Sequence, residues 1–321
     1  MDREQLKKRI RGTPVTLPTP FDKNLNVDFP KIADMTRWWV EEGLGTDDAP
    51  LKTSAAMGEG PDLSDDEWPH ILRTVVNAAG PGKTVICGLK PKNTLHTIED
   101  AKRAQDLGAV GLQIDLPFFH HAQQDDNVRH FAAISDAIDI GIMIYNTHWF
   151  CKDPRKEYMK AESMLRLKDS EHVVTIKWSV PDGEDYDDMR QFSDTFNVID
   201  NSGRTNAVRC FKNGGVGYIS SLIAAYPKHD QEVFSLLTQG RYDEAQGEID
   251  RVDAALGPWL AKTGVRSGGY RQGKALLAAQ GMSIGDPRPP TLPCDDAEIA
   301  EAREALIGLG WIDSAQSAAA D

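Results

Sequence analysis

Two patterns of apolar and polar positions alternate along the chain. Short runs rich in β-branched residues are followed by longer stretches in which apolar residues recur every three or four positions. The first pattern is typical of strands buried in a parallel sheet, and the second is typical of amphipathic helices. Because the two alternate almost throughout, the sequence predicts repeated βα units.

The number of units predicts the architecture. The predicted strands are 13–17, a poorly defined one ending near Ala56, 84–88, 110–115, 141–145, 173–178, 196–200 and 215–220. The predicted helices between them are 29–42, 65–78, 94–107, 125–138, 156–167, 184–192 and 205–212. Eight strands with intervening helices indicate an α/β protein with a closed (β/α)8 TIM barrel.

The chain continues beyond the eighth predicted strand with more helices than barrel closure requires. These segments are 228–238, 242–260, 271–279 and 295–309. We therefore predict a barrel over 1–225, a closing helix and a C-terminal helical extension over 226–313, and a disordered tail over 314–321. The Pro-rich stretch 286–290 is interpreted as a rigid crossing segment between helices.

Charge and hydropathy narrow the range of partners. The 321 residues include 49 acidic and 36 basic ones without a dense Lys/Arg block, which gives no electrostatic support for binding nucleic acid or an anionic membrane. The chain has no run of about 18 apolar residues, and its first nine residues are charged without an apolar signal core behind them. We expect a cytoplasmic protein that acts on small molecules.

Potential metal ligands do not form a recognisable set. The four cysteines lack a Cys-x-x-Cys pair. His120, His121 and His130 have no further ligand at helix or strand spacing. We expect neither disulfides, nor a metal, nor a cofactor.

Lys177 is the most informative residue, because it lies within the apolar run 173–179. A buried ammonium is unfavourable, and a lysine that loses its proton is a nucleophile toward ketones. The alternative is that the stem of Lys177 packs while its charge reaches water at the strand end.

A second strand-end residue favours the chemical interpretation. Tyr145 ends the fifth predicted strand and Lys177 the sixth, so the two would lie on neighbouring strands about 5 Å apart. A phenol beside an amine suits Schiff-base catalysis on a 2-oxo acid, in which protons move at the former carbonyl oxygen. The glycine-flanked segment 55–60, before a helix that we expect to begin after Ser64, offers backbone N–H groups for the carboxylate.

Strand-end motifs in this order resemble the dihydrodipicolinate synthase and N-acetylneuraminate lyase family. They are Thr19-Pro20-Phe21, Met57-Gly58-Glu59, Asn93-Thr94, Pro117-Phe118-Phe119, Tyr145-Asn146, Ile176-Lys177 and Gly214 to Ser220, with Lys274 and Arg288-Pro289-Pro290 in the C-terminal helices. The resemblance implies Lys177 as the Schiff-base residue and Tyr145 as the proton shuttle. It also implies that the Ala56 and Met57 N–H groups hold the carboxylate, that the Ile219 carbonyl lines the pocket, and that the protein is a homotetramer or another homo-oligomer.

The chain also departs from that family's pattern. Ala56 and Met57 replace two hydroxyl residues, Phe119 replaces a tyrosine relay, and no arginine follows Tyr145-Asn146. These differences argue against dihydrodipicolinate synthase activity itself. The aromatic residues either form a mouth for an apolar or aromatic aldehyde or are simple barrel or interface packing. They are Phe118, Phe119, Trp149, Phe150 and Trp178.

Two residues, His148 and Arg204, have two open interpretations. His148 either replaces a missing hydroxyl as an acid or base or is a packing histidine. Ser202 and Arg204 follow the seventh predicted strand, where relatives bind the distal part of the substrate. Arg204 therefore either holds a polar group there or is an exposed residue at a helix start.

The leading hypothesis is a metal-independent class I lyase of aldolase type that acts on pyruvate or a larger 2-oxo acid through an iminium on Lys177. The near alternative is a hydro-lyase (dehydratase) or hydratase-aldolase acting on a 2-oxo acid. An alternative of another class is a barrel that binds a 2-oxo acid without turnover.

Overall fold

Eight parallel strands form one sheet in sequential order, and helices alternate with them. The computed structural model describes residues 1–265 and 268–313. The strands are β1 Val15–Thr16, β2 Leu51–Thr53, β3 Val85–Leu89, β4 Gly111–Asp115, β5 Gly141–Tyr145, β6 Val173–Trp178, β7 Asn197–Asp200 and β8 Gly217–Tyr218. The predicted (β/α)8 barrel is confirmed.

The sheet closes between its first and last strands. Gly12 donates from its N–H to the Val216 carbonyl at 3.2 Å, and Tyr218 donates to the Gly12 carbonyl at 3.1 Å. A Cβ on Gly217 would lie 1.8 Å from the Gly12 oxygen, so only glycine fits at this seam.

The described part of the chain contains twelve α-helices. They are α1 Arg3–Arg9, α2 Phe29–Glu41, α3 Glu67–Ala79, α4 Thr94–Asp106, α5 Gln124–Ser135, α6 Pro154–Glu157, α7 Ala161–Leu165, α8 Ala207–Lys212, α9 Pro227–Thr238, α10 Tyr242–Gly264, α11 Gly269–Ala279 and α12 Asp296–Gly308. Within 1–265 and 268–313, none of them is long and apolar enough to span a membrane.

Several predicted elements differ from the observed ones. The predicted helix 156–167 is two short helices, α6 and α7, and 184–192 contains a 3-10 helix over Tyr186–Gln191. The strand expected to end near Ala56 ends at Thr53, and a 3-10 turn follows over Ala56–Gly58. Helix α3 begins at Glu67 rather than directly after Ser64, and the two residues exchange reciprocal hydrogen bonds at 3.1 and 2.8 Å.

The N-terminal helix α1 lies under the barrel, at the ends where the strands begin. Leu6 and Ile10 pack against Ile86, Met143 and Val174 in an apolar cluster inside the barrel. The Ile10 carbonyl accepts a hydrogen bond from Thr175 Oγ1 at 2.6 Å. Burial of these apolar side chains closes this end of the barrel.

Helices α9 to α12 follow the barrel strands and pack on one another. Trp259 Nε1 donates to the Glu298 carbonyl, and Arg271 forms a buried ion pair with Glu298 at 2.8 Å. Tyr226 and Trp311 stack with parallel rings 4.2 Å apart. The division at residue 225 stays a prediction, and the predicted tail 314–321 lies outside the described residues.

Candidate active site

Lys177 and Tyr145 meet at the carboxyl ends of adjacent strands. The register of β5 and β6 pairs Tyr145 directly with Lys177. Lys177 Nζ lies 3.5 Å from the centroid of the Tyr145 ring, and both residues are 6% exposed. In barrel enzymes this end of the strands carries the chemistry.

The surroundings of Lys177 favour its neutral amine. Burial lowers the pKa of Lys177 to about 7, and the nearby Asp115 carboxylate partly opposes this effect. In a substantial fraction of the protein molecules, the Lys177 amine is therefore uncharged near neutral pH. An amine in that state is ready to attack a carbonyl carbon.

Tyr145 keeps its proton over the same pH range. Burial, and secondarily the Asp115 carboxylate, raise the pKa of the Tyr145 hydroxyl. The phenol is therefore a hydrogen-bond donor at neutral pH. Its ring also contacts Trp149 edge to face, with centroids 5.9 Å apart.

Lys177 opens into a cavity of about 560 Å³, here called the Lys177 cavity. Of the predicted site residues, Tyr145, Ala56, Met57 and Ile219 also line it. Ala56 and Met57 begin the 3-10 turn Ala56–Gly58, so their N–H groups precede the hydrogen bonds of that turn. The predicted carboxylate site and the predicted nucleophile thus share one cavity.

The structure does not bring the other three predicted residues to the wall of this cavity. Arg204 is buried, where its guanidinium contacts His229 and Asp253 instead. This placement contradicts both interpretations of Arg204, because the side chain is neither exposed nor directed at the cavity.

Ser202 and His148 are also absent from the cavity wall. Ser202 Oγ accepts a hydrogen bond from Asn206. His148 packs against Trp149 at 4.7 Å between ring centroids, and burial lowers its pKa. Packing therefore describes His148 better than acid–base chemistry.

Residues that were not among the predicted site residues complete the wall. Asn201 and Gly203 come from the end of β7, and Gly269, Tyr270 and Gln272 come from α11. Helix α11 follows the barrel by some fifty residues in the chain, so strand-end motifs alone could not indicate it. The only sequence signal was the glycine-rich start of this helix.

A second cavity of about 660 Å³, here called the aromatic cavity, adjoins the first. Phe118, Phe119 and Phe150 line it, and Ala56 and Gln113 line both cavities. Of the other two residues in the predicted aromatic mouth, Trp149 lines the Lys177 cavity, whereas Trp178 lines neither cavity and is fully buried against Phe192.

Three polar residues of the barrel interior were not predicted. Lys52 on β2 is fully buried and donates from Nζ to Gln113 Oε1 at 2.9 Å. Gln113 Nε2 in turn donates to Asp115 Oδ1 at 3.4 Å. Gln113 and Asp115 could have been noticed as polar residues within the apolar run 111–115, whereas Leu51-Lys52-Thr53 gives no apolar run around Lys52.

Glu59 orients the loop that carries the predicted carboxylate site, through an ion pair with Lys274. Its backbone is left-handed, with φ of 60°, and its carboxylate lies 3.1 Å from Lys274 Nζ without exposure to solvent. Burial raises the pKa of Glu59 to about 7, against the opposing effect of Lys274. The pair fixes the turn Ala56–Gly58 to α11.

Comparison with known proteins agrees with this geometry. The model of the Dihydrodipicolinate synthetase family matches residues 9–307. The chain is 27% identical over 291 residues to a 4-hydroxy-tetrahydrodipicolinate synthase of Mycobacterium leprae, across 90% of this chain and 92% of that protein. It is 29% identical over 305 residues to a protein of the same name from Acidothermus cellulolyticus, across 94% and 92%.

Solved structures share the fold. A dihydrodipicolinate synthase from Oceanobacillus iheyensis superposes with a TM-score of 0.81 at 19% identity, covering 96% of this chain and 99% of that one. CdNal from Clostridium difficile, in complex with mannosamine, also gives 0.81 at 19% identity, covering 93% and 98%. With a family match over nearly the whole chain, the protein belongs to the dihydrodipicolinate synthetase family and is a class I, metal-independent lyase.

Proposed function

We propose that the protein forms an iminium between Lys177 and a 2-oxo acid and then breaks or forms a carbon–carbon bond next to it. The observation that carries this proposal is the position of Lys177. Its amine is buried and lies against the Tyr145 ring, and the residue lines the same cavity as Ala56 and Met57. Low solvation and a neighbouring phenol are what an amine nucleophile requires.

The first half of the reaction uses both residues. The Lys177 lone pair forms a bond to C2 of the substrate while the carbonyl electron pair moves to oxygen, which takes a proton from Tyr145. The nitrogen then loses a proton, the hydroxyl group takes up another and leaves as water, and the iminium remains. The N–H groups of Ala56 and Met57 are the proposed donors to the substrate carboxylate.

The second half uses the iminium as an electron sink. In cleavage, a base removes the C4 hydroxyl proton, the C3–C4 bond breaks, and its electron pair forms an enamine as an aldehyde leaves. The enamine takes a proton at C3, and water hydrolyses the iminium to release the 2-oxo acid. Dehydration is the alternative outcome at the same iminium, in which C3 loses a proton and a hydroxyl group leaves from C4.

The aldehyde half is proposed to be apolar. The aromatic cavity borders the Lys177 cavity and presents Phe118 and Phe150, whereas the loop after Tyr145 carries no arginine for a second carboxylate. Relatives named 4-hydroxy-tetrahydrodipicolinate synthase motivate pyruvate as the simplest 2-oxo acid to test. We propose a homo-oligomer, as the resemblance implied.

Trapping tests the proposal directly. The protein is reduced with borohydride in the presence of pyruvate, or of 2-oxo acids with aryl or carboxylate substituents, and its peptides are weighed. We expect the mass of the reduced adduct on Lys177, and more efficient trapping of aryl than of carboxylate substituents.

The Lys177→Arg variant distinguishes an enzyme from a binding protein. We expect it to lose the adduct and all turnover, because guanidinium keeps its charge. Unmodified Lys177 in the wild type across the whole panel would exclude the proposed reaction. Ligand-dependent thermal stabilisation that survives in Lys177→Arg, together with no wild-type turnover, would instead favour the binding protein.

A further inference from the structure

The barrel interior holds a second lysine that the reaction described above does not use. Lys52 is fully buried, and within the described residues its side chain has one hydrogen bond, to the neutral amide of Gln113. Among residues 1–265 and 268–313, no carboxylate lies within 4.0 Å of its amine. A buried lysine without a direct counter-ion is costly, so its presence calls for a role.

Gln113 links Lys52 to an acidic side chain, that of Asp115. The amide accepts from Lys52 through its oxygen and donates to Asp115 through its nitrogen. A positive charge on Lys52 and a negative charge on Asp115 therefore polarise the same amide in the same direction. Here the three residues are called the interior network.

The interior network and Lys177 act on one another. The register places Asp115 beside Tyr145 and Tyr145 beside Lys177 on three consecutive strands. Burial, followed by repulsion from Lys177, lowers the pKa of Lys52 well below its usual value. Burial also raises the pKa of Asp115 to about 6, against the attraction of Lys177 and Lys52.

The other walls around Lys177 contribute no further charge. Thr16, Asn201 and Ser220 reach the Lys177 cavity from the ends of β1, β7 and β8, and α11 contributes Tyr270. The titratable groups that face Lys177 within the described chain are thus Asp115, Tyr145, Lys52 and Tyr270. Two amines share one carboxylate, so the group is electrically neutral with one ammonium and one free amine.

We propose that Lys52 is a positioning residue that competes with Lys177 for the single proton balanced by Asp115 and so keeps Lys177 available as a free amine. This inference rests on the proposed function of Lys177. When the proton resides on Lys52, its charge is linked to Asp115 through Gln113, and the Lys177 nitrogen keeps its lone pair. A cationic neighbour is an established way to activate a lysine nucleophile.

The Lys52→Met variant tests this competition. Methionine fills a similar volume without a charge, so Lys177 alone would hold the proton opposite Asp115. We expect the pH midpoint for adduct formation with pyruvate, trapped by cyanoborohydride, to rise by one unit or more. The rate at neutral pH would then fall about tenfold and recover in alkaline solution.

Two further variants make the result specific. Asp115→Asn removes the anion that favours an ammonium, so its midpoint should move in the opposite direction, to lower pH. Lys83→Met is the control. Lys83 precedes the start of β3 and lines neither cavity, so loss of its charge should leave the midpoint unchanged.

The outcomes separate the two proposals. Wild-type protein without an adduct on Lys177 would overturn the proposed function and this inference together. A wild-type adduct with the same midpoint in Lys52→Met would overturn this inference alone. A lower rate at every pH with an unchanged midpoint would assign Lys52 a structural role and would overturn the inference as well.

Should Lys52→Met fail to fold, the Asp115→Asn midpoint decides, since a shift to higher pH or no shift contradicts the network.

Discussion

At the scale of single residues, Tyr145 has two separable parts. Its ring covers Lys177 Nζ at 3.5 Å, and its hydroxyl is held in the protonated form by burial. Tyr145→Phe keeps the ring and removes the proton source. We expect adduct formation and turnover to slow by about 10²–10³-fold, since a positioned acid contributes that much. Single-turnover trapping with pyruvate measures the effect.

A matched tyrosine provides the control for this prediction. Tyr158 is also buried, but its hydroxyl donates to Glu184 at 3.0 Å and does not reach either cavity. Tyr158→Phe should therefore leave the rate unchanged. An unchanged rate in Tyr145→Phe would show that water or another group transfers the proton.

The residues of the site were predictable to different extents. Lys177 and Tyr145 were visible because Tyr145 ends an apolar strand and Lys177 is the last residue but one of the next, where a polar side chain is conspicuous. Lys52 was hidden because its strand has only three residues and no clear apolar run around it. Arg204 follows β7, where a positive charge could bind substrate. Its guanidinium instead contacts His229 and Asp253, which lie too far along the chain for a local pattern to indicate them.

At the scale of elements, the seam between β1 and β8 joins the two shortest strands of the sheet. Each of these strands has two residues, and the closing contact runs through Gly12 and Gly217. In Gly217→Ala the new Cβ would lie 1.8 Å from backbone, which cannot move as a side chain would. We expect a loss of about 3 kcal/mol in the free energy of unfolding, as for an overpacked core, measured with urea.

A second glycine gives the opposite expectation for the same substitution. Gly247 lies inside α10, and a Cβ there would meet nothing within 4 Å. Gly247→Ala should stabilise the protein by about 0.5–1 kcal/mol through helix propensity. A Gly217→Ala variant as stable as the wild type would contradict the first expectation, because it would mean that β1 and β8 close the barrel without the contact between Gly12 and Gly217.

Elements were predictable where one face of a segment is clearly apolar. The inner strands β3 to β7 and the helices α2 and α4 lie within two residues of the predicted bounds. The predicted helix 156–167 is interrupted because the amide of Asn146 bonds to the backbone of Met159 at 2.9 and 3.0 Å, which holds the segment extended there. Helix α1 was not predicted, because its charged residues outnumber the single buried Leu6.

At the scale of the whole molecule, the two ends of the barrel have different tasks. The carboxyl ends of the strands carry Lys177, Tyr145 and the two cavities, whereas the opposite end is filled by apolar side chains from α1. In this fold the first end determines chemistry and the second determines stability. Strand-end motifs in the sequence predict which residues lie at the carboxyl ends of the strands. The sequence does not predict that α1 fills the opposite end, because the contact between α1 and the beginnings of the strands leaves no local pattern.

Substitution of Ile10 tests whether the two ends of the barrel act separately on stability and chemistry, because the barrel interior leaves space for this side chain. A Cβ on Gly111 or Gly141 would lie 2.3 or 2.4 Å from Ile10 Cδ1, so both glycines make room for this side chain. Ile10→Ala should lower the free energy of unfolding by about 2–5 kcal/mol through the cavity it creates. Leu95→Ala, at a position 73% exposed, should change it by less than about 0.5 kcal/mol. Trapping on Lys177 should remain at the wild-type rate below the unfolding transition; a slower rate there would mean that α1 shapes the active end as well.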